Sequence, residues 1–260
     1  MASDTRAAYD ALAPVYDGLT AHHDHERWLA LLLGLARRHG LAGTRALDVA
    51  CGTGKSFMPL VRRGFDVTAC DLSPAMAARA RGRARGHQVR VRVADMRRLP
   101  VLCERADLVT CLDDAVNYLL DLDELQAALA GMRANLRPGG LLVFDVNTLA
   151  TYRAVFCEGV SWGAGAETYA SVGEPRSVEP GGLFATTLRA WRGHALLAES
   201  RHVQRHHGAD ELERVLRLAG LEPLGRYGSA ADGSTETAPD ERRHVKTVVV
   251  ARRPPATTSE

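Results

Sequence analysis

Asp48-Val49-Ala50-Cys51-Gly52-Thr53-Gly54-Lys55-Ser56 is the stretch on which the fold turns. It closes an apolar run, Ala46 to Cys51, and leads into a segment at 56–63 whose apolar residues recur with helical spacing. A glycine-rich turn between a strand and a helix is where open α/β sheets take their ligands. Three ligand classes compete for it. A triphosphate loop needs G-x-x-x-x-G-K-[ST]; Gly54-Lys55-Ser56 supplies its end, but the first glycine would fall at Val49, inside the strand. A dinucleotide loop needs G-x-G-x-x-G; Gly52 and Gly54 supply two, and the third position is Phe57, too large for close helix packing over a pyrophosphate. The remaining pattern, D-x-A-x-G-x-G, uses small residues to admit an uncharged nucleoside with an amino-acid tail and has no phosphate to cradle.

Acids further along favour that third reading. Asp71 ends the second predicted strand, FDVTACD, where a carboxylate can accept from both hydroxyls of a ribose. Asp95-Met96 ends the third, VRVRVADM, where an acid can accept from an exocyclic adenine amine while the next residue holds the ring. A strand-end acid is commonly just solvated; three at consecutive strand ends are harder to dismiss.

The elements around these motifs alternate. Residues 24–39 read as a helix stopped by Gly40, and Ser73-Pro74 pairs an N-cap with a proline at the first helical position. Arg alternates with Val in VRVRV, which puts the third strand at a sheet margin. ADLVTCLDD (106–114) and GGLLVFDVNT (139–148) are near-continuous apolar runs suited to strands covered on both faces, joined by a helix over DLDELQAALAGMRANL. Alternation of this kind predicts a doubly wound, mostly parallel sheet. From 150 to 207 short alternating segments separated by Gly and Pro predict an antiparallel insertion. The helix ADELERVLRLAG and strands near 222–228 and 244–251 then complete a seven-stranded sheet. SAADGSTETAPDER (229–242) and the tail PPATTSE are polar and expected to be mobile.

Composition sets wider bounds. The 260 residues, 46% hydrophobic and 25% charged, suffice for one large domain over 1–260. The longest apolar runs, such as Trp28 to Leu35, are too short for a bilayer, and MASDTRAAYD carries no leader pattern, so a cytoplasmic place and no membrane partner are expected. Five cysteines without a C-x-x-C pair read as reduced, packed thiols. A net charge of +2 gives no overall pull toward nucleic acid, and of 33 Lys+Arg residues only Lys55 and Lys246 are lysine. The arginine run at 79–92 raises an RNA footprint, but no aromatic residues interleave to stack bases, so a solvated face is the better reading and no nucleic-acid partner is expected. His22, His23 and His25 raise a metal, yet their spacing matches no familiar site and Asp24 and Glu26 suggest a hydrated helix entry; no metal is expected.

LDVACGTG, CDLSPAM, ADM, LRPGG and FDVNT together resemble the class I methyltransferase superfamily, a Rossmann-like fold that uses S-adenosyl-L-methionine. Outside the core, YDALAPVYDGL, CLDDAVNYLL and SRHVQRHH look like small-molecule methyltransferases, a group that includes amino-sugar N-methyltransferases, and the glycine loop is similar to that of glycine N-methyltransferase. The resemblance implies that Asp48, Ala50, Gly52 and Gly54 line the methionine part of the cofactor, Asp71 with Leu72 holds ribose, and Asp95 with Met96 holds adenine. Leu112 would offer its carbonyl, Tyr16 would lie over the cofactor within a helical lid formed by 1–40, and Trp28 would pack nearby or in the core. Where relatives read C-L-D-S this chain reads Cys111-Leu112-Asp113-Asp114, so Asp113 or Asp114 is expected either to orient a cationic amine or to cap the next helix.

An amine acceptor needs little base catalysis, whereas a hydroxyl needs a base. His202 is the candidate base. Asn117, Tyr118, Asn147, Tyr152 and His206 follow strands that face the pocket and are candidates for binding substrate, with Asp145 near them. His202 and His206 would share a strand face opposite His207, which is expected at the surface. N-methylation of a small amine of metabolism or natural product biosynthesis is the favoured activity. O-methylation of a hydroxylated small molecule is the alternative, and an RNA methyltransferase or a non-catalytic cofactor-binding protein stands further off. The insertion over 150–207 is expected to cap the substrate side or to pair in a homodimer.

Overall fold

Five strands of the computed structural model, Arg45–Val49 (β1), Asp66–Asp71 (β2), Val89–Val93 (β3), Ala106–Cys111 (β4) and Leu136–Asn147 (β5), run parallel in the order β5-β4-β1-β2-β3. The structure describes residues 2–174, 176–230 and 233–255. Four further strands, Val160–Ala164 (β6), Glu167–Gly173 (β7), Leu183–Arg192 (β8) and Ala195–Arg205 (β9), form a separate antiparallel sheet within the span expected for the insertion. The chain then returns through Glu222–Ser229 (β10), Thr235–Thr237 (β11) and Lys246–Arg252 (β12), which extend the first sheet beyond β5 in antiparallel order β11-β10-β12.

That sheet has eight strands, where seven were expected. The extra one, β11, falls in the polar stretch read as mobile. Its threonines alternate as a strand requires, Thr237 and Thr235 pair with Tyr227 and Ser229 on the free edge of β10, and Arg243 holds Glu236 between them. Residues 231–232 of that stretch and 256–260 of the tail lie outside the described residues.

Helices cover both faces of the larger sheet. In chain order they are Ala2–Leu12 (α1), Tyr16–Leu19 (α2), His25–Arg38 (α3), Met58–Arg62 (α4), Pro74–Arg83 (α5), Leu122–Asn135 (α6), Leu149–Thr151 (α7) and Ala209–Leu218 (α8). Asp24, Ser73 and Asp121 cap α3, α5 and α6 through their side chains, as short polar residues do at helix starts. Along β5 the side chains alternate: Leu141 and Val143 pack with α3 and α4, while Leu142, Phe144 and Val146 pack with α6 and α8. An unbroken apolar run is what such a two-sided strand needs. β3 forms the far edge, as its alternating arginines predict.

The strand order reverses at β1, which has β2 on one side and β4 on the other, and the crevice at the carboxyl ends of these strands is the natural ligand site. A roof closes over it. Leu12, Val15 and Leu19 of the N-terminal segment pack between Met76 of α5 and Tyr169, Ala190 and Ala198 of the smaller sheet.

Candidate active site

Left-handed backbone shapes the turn after β1. Ala50, Gly52 and Gly54 have φ of 58°, 54° and 89°, and Ala50 adopts this conformation without glycine's freedom. Phe57 is fully buried beneath Gly54, where a Cβ would meet its ring at 2.7 Å. The residue that spoils a dinucleotide pattern is thus the floor of the loop. Lys55, which would serve a triphosphate, donates to the carbonyls of Asp17 and Thr20 and to the Thr20 hydroxyl.

Two buried acids brace this turn. Asp48 accepts from Ser56 Oγ at 2.5 Å and Thr110 Oγ1 at 2.7 Å, tying the loop to β4; burial pushes its carboxyl up to about 6 against the pull of those hydroxyls. Asp71 accepts from the Gly52 and Ser73 backbone N–H groups, each at 2.8 Å, and burial pushes it likewise to about 6 while those bonds oppose the shift. A carboxylate has about four acceptor positions, so Asp71 can still receive two hydroxyls.

Above the loop lies a cleft between the N-terminal segment and the carboxyl ends of the strands. Its wall includes Tyr16, Ala50, Gly52, Asp71, Leu72, Met96, Leu112, Asp113 and Tyr118 from the sequence-based candidates. Gly54 and Asp48 stand behind the wall. Asp95 lines a smaller adjoining cavity with Met96 and Leu72, and Arg97 holds its carboxylate with Nε at 2.9 Å and Nη2 at 2.8 Å. Trp28 lines a different cavity, beside His23 and Lys246.

The remaining candidates gather elsewhere. Asn117 donates to the Arg205 carbonyl, Asn147 to Gln204, and Tyr152 to the Arg205 carbonyl; His206 accepts from the Gly181 N–H and faces Glu241. All four side chains are buried in the seam between the two sheets. His202 is also buried, between the Tyr118 hydroxyl at 2.9 Å and Ser200 Oγ at 2.8 Å, and burial pushes its pKa down to about 4. His207, expected at the surface, is buried as well, against the Leu119 carbonyl and Arg205, because β9 ends at Arg205 and the chain turns inward to start α8.

Asp113 and Asp114 are consecutive left-handed residues, with φ of 57° and 55°. Asp145 Oδ2 and Oδ1 accept their two N–H groups, at 2.9 and 2.7 Å. Asp114 turns away from the cleft toward Lys246 Nζ (2.7 Å) and Gln204 Nε2 (2.6 Å). Asp113 faces the cleft beside His25 and His23; burial alone would raise its pKa, but these histidines and Lys246 hold it at about 2.

Three residues not assigned to the site from the sequence contribute to it. Tyr9 sits edge-on to Tyr16 and Tyr118, with ring centroids 6.1 and 5.4 Å away, and completes an aromatic wall. His25 lines the cleft, and Lys246 holds Asp145 and Asp114. A usable signal existed for the last: both lysines of this arginine-rich chain stand at the site.

Fold and cleft define an open α/β protein that takes a nucleoside without phosphates at the switch point of its sheet. Comparison with known proteins narrows the class. Residues 46–140 match the family model described as a methyltransferase domain. The chain is 30% identical over 203 residues to a demethylmenaquinone methyltransferase of Renibacterium salmoninarum, covering 75% of this chain and 81% of that protein. It is 35% identical over 122 residues to a dTDP-3-amino-3,6-dideoxy-alpha-D-glucopyranose N,N-dimethyltransferase of Streptomyces fradiae, 47% of each. Among solved structures, an S-adenosylmethionine-dependent methyltransferase from Clostridium acetobutylicum superimposes with a TM-score of 0.77 at 22% identity, over 95% of this chain and 99% of that one. The S-adenosylmethionine-bound amino pentose methyltransferase CalS10 of Micromonospora echinaspora gives 0.62 at 28% identity, over 87% and 91%. This chain belongs to the S-adenosylmethionine-dependent methyltransferases. The residues present fit that cofactor: a loop of small side chains without a free cation, an acid with spare acceptor positions, and tyrosine rings suited to a sulfonium charge.

Proposed function

We propose that this methyltransferase modifies an uncharged amine nitrogen of a small molecule. When bound, S-adenosylmethionine supplies a methyl group already activated on a sulfonium sulfur. Asp71 would hold the ribose, Leu72 and Met96 the base, and Ala50 and Gly52 the amino-acid portion, with Leu112, Tyr16 and Tyr118 bounding the reacting end. Of the segment expected as a lid, the part carrying Thr5, Arg6, Tyr9 and Tyr16 lies on the cleft wall and serves as one, while α3 packs on the sheet; the smaller antiparallel sheet backs the lid. What these residues contribute is alignment and exclusion of water, which can supply ~7–11 kcal/mol of a barrier.

One observation carries the choice of nitrogen over oxygen: both ring nitrogens of His25, on the cleft wall, and of His202, behind Tyr118, face other protein atoms rather than the cleft. His25 meets the His23 carbonyl and Asp113; His202 meets Tyr118 and Ser200 and is a weak base besides. Tyr118, Tyr9 and Tyr16 have pKa values raised by burial, so their hydroxyls keep their protons. A hydroxyl acceptor needs a base, which neither these histidines nor these tyrosines supply, whereas a neutral amine can lose its proton after transfer. The amino-sugar specificity in the name of the Streptomyces fradiae relative agrees with this. A small molecule also suits the arginine run better than nucleic acid does, because Arg81, Arg83 and Arg90 bond to Val91, Thr53 and Thr68 of their own fold.

The test is a matched panel of amines and alcohols of equal size with methyl-labelled cofactor. Label should enter amines, with a rate that rises through the pKa of each amine and moves with it. Equal transfer to the matched alcohols would overturn the assignment.

A further inference from the structure

We propose that His23, His25 and Asp113 bind a divalent transition-metal ion at the wall between the two cavities. His25 and Asp113 line the cofactor-facing cleft, and His23 lines the neighbouring cavity with Trp28 and Lys246.

The lone pairs at this wall are mismatched. His25 Nδ1 lies 3.0 Å from the His23 carbonyl oxygen, which can only accept, so Nδ1 carries the ring proton. In the neutral ring Nε2 is then an acceptor, yet it faces another acceptor, Asp113 Oδ2, at 3.2 Å. The second carboxylate oxygen, Oδ1, is buried without a hydrogen-bond partner and lies 3.4 Å from His23 Nδ1. A proton added to His25 would let Nε2 donate to Oδ2, but His23 Nδ1, even carrying its own proton, stands 3.4 Å from Oδ1, beyond the ordinary N–H···O range, and Oδ1 has no hydrogen-bond partner. Protonating both rings would set two imidazolium ions with centroids 4.3 Å apart. A cation among the three would be met by one lone pair from each residue, His25 Nε2, His23 Nδ1 and one oxygen of Asp113.

The spacing suits a metal. The three donor atoms all lie within 4.8 Å of one another. Ligand bonds of about 2.0–2.1 Å in a tetrahedron place neighbouring donors about 3.3 Å apart; His25 Nε2 lies 3.2 Å from Asp113 Oδ2 and His23 Nδ1 lies 3.4 Å from the other oxygen, Oδ1. A backbone carbonyl holding Nδ1–H is the usual orienting partner of a metal-bound histidine. Asp113 is held from behind: Asp145 accepts its N–H and keeps its left-handed backbone, while Lys246 neutralises Asp145 and Asp114 and leaves the Asp113 carboxylate to the histidines. Two imidazoles and one carboxylate select zinc, iron(II), cobalt or nickel over magnesium or calcium. Three protein ligands leave a position open toward the cleft, where an oxygen or nitrogen of the acceptor can coordinate. The histidines raise a metal in the sequence but match no familiar spacing, because the third ligand, Asp113, comes from the turn after β4.

Metal binding does not rest on the amine reading and is measured without turnover. Chelator-treated full-length protein is titrated with cobalt(II), followed by its visible absorption, and with zinc by calorimetry. One ion per chain should bind, with affinity falling roughly tenfold or more in His25→Gln and in Asp113→Asn. His22→Gln serves as the control, since His22 packs on Trp162 away from the cluster. Far-ultraviolet circular dichroism and urea unfolding of the same variants report that they are folded. In the unaltered protein, zinc should shift the ring nitrogen resonances of His23 and His25 and leave those of His22 in place. No saturable binding, affinity unchanged in both variants, or unshifted His23 and His25 resonances would each overturn the proposal.

Discussion

Replacing Lys246 by methionine should be among the most damaging single changes at the site. Its ammonium lies 2.7 Å from Asp114 Oδ1 and 2.8 Å from Asp145 Oδ1, and the Asp145 side chain is fully buried. Burial lowers the lysine pKa, but the facing carboxylates of Asp114, Asp145 and Asp113 more than reverse that, so the ammonium stays charged. At an effective dielectric of about 20, each contact at this distance is worth ~6 kcal/mol before desolvation. Desolvation of the ions offsets most of that sum. Removing one partner nevertheless strands buried charge, and such changes cost ~3–5 kcal/mol. At roughly 2–4 °C per kcal/mol for a chain of this size, the melting temperature should fall by roughly 6–20 °C. Asp145 would also tend to draw away from the other carboxylates, loosening its hold on the Asp113 and Asp114 N–H groups. The double variant Lys246→Met/Asp114→Asn should recover part of the loss, because it removes one of the stranded charges. Urea unfolding of the wild type and the variants measures each step. A loss below about 1 kcal/mol, typical of an exposed ion pair, or a double variant no better than the single, would refute the reasoning.

Other perturbations probe the loop, the cofactor grip and the buried histidine. Gly54→Ala should cost ~2–3 kcal/mol, because the new methyl meets the immobile Phe57 ring at 2.7 Å with φ at 89°. Gly52→Ala, whose nearest neighbour is Tyr16 at 3.6 Å, should cost only ~1–2 kcal/mol; equal losses on chemical unfolding would remove Phe57 as the reason for the glycine. Asp71→Asn should weaken S-adenosylmethionine binding roughly tenfold or more in calorimetry, since one acceptor oxygen must then serve the Gly52 and Ser73 N–H groups that both oxygens now share. An unchanged affinity would take the ribose away from Asp71. His202 has a folded pKa of about 4 against 6.5. The unfolded chain therefore binds the proton more readily, and this ring's contribution is complete above 6.5 and lost as pH falls toward 4, ~3 kcal/mol in all. His202→Gln should erase that part of the slope, so its stability relative to the wild type improves across the window; a constant difference would show that the ring is not buried neutral.

The parts of the fold that could be read from the sequence are those where one segment carries its own constraint. LLVFDV needs apolar neighbours on both faces wherever it lies, VRVRV needs one wet face, and Asp24, Ser73 and Asp121 announce helix starts through a bond to a residue three positions on. The glycine loop is legible for the same reason: Phe57 and Gly54 contradict a dinucleotide within four residues. β11 was missed because three polar residues gain strand geometry only from the edge of β10.

The candidate site divides along the same line. Asn117, Asn147, Tyr152 and His206 have the chemistry of a substrate pocket, and the seam between two sheets demands that chemistry too, since backbone carbonyls such as that of Arg205 are buried there and must be met. Residue type cannot separate these two uses; only the partner's address can. Asp113 shows the converse case. Its carboxylate reaches the cleft because Asp145, from the adjacent strand, holds it and Asp114 in a left-handed conformation that ordinary residues avoid, and Lys246 neutralises Asp145 and Asp114. Strain of that kind persists only when its surroundings enforce it. Here the enforcing groups come from β5 and β12, so the site's most distinctive feature exists only once the sheet has assembled around it.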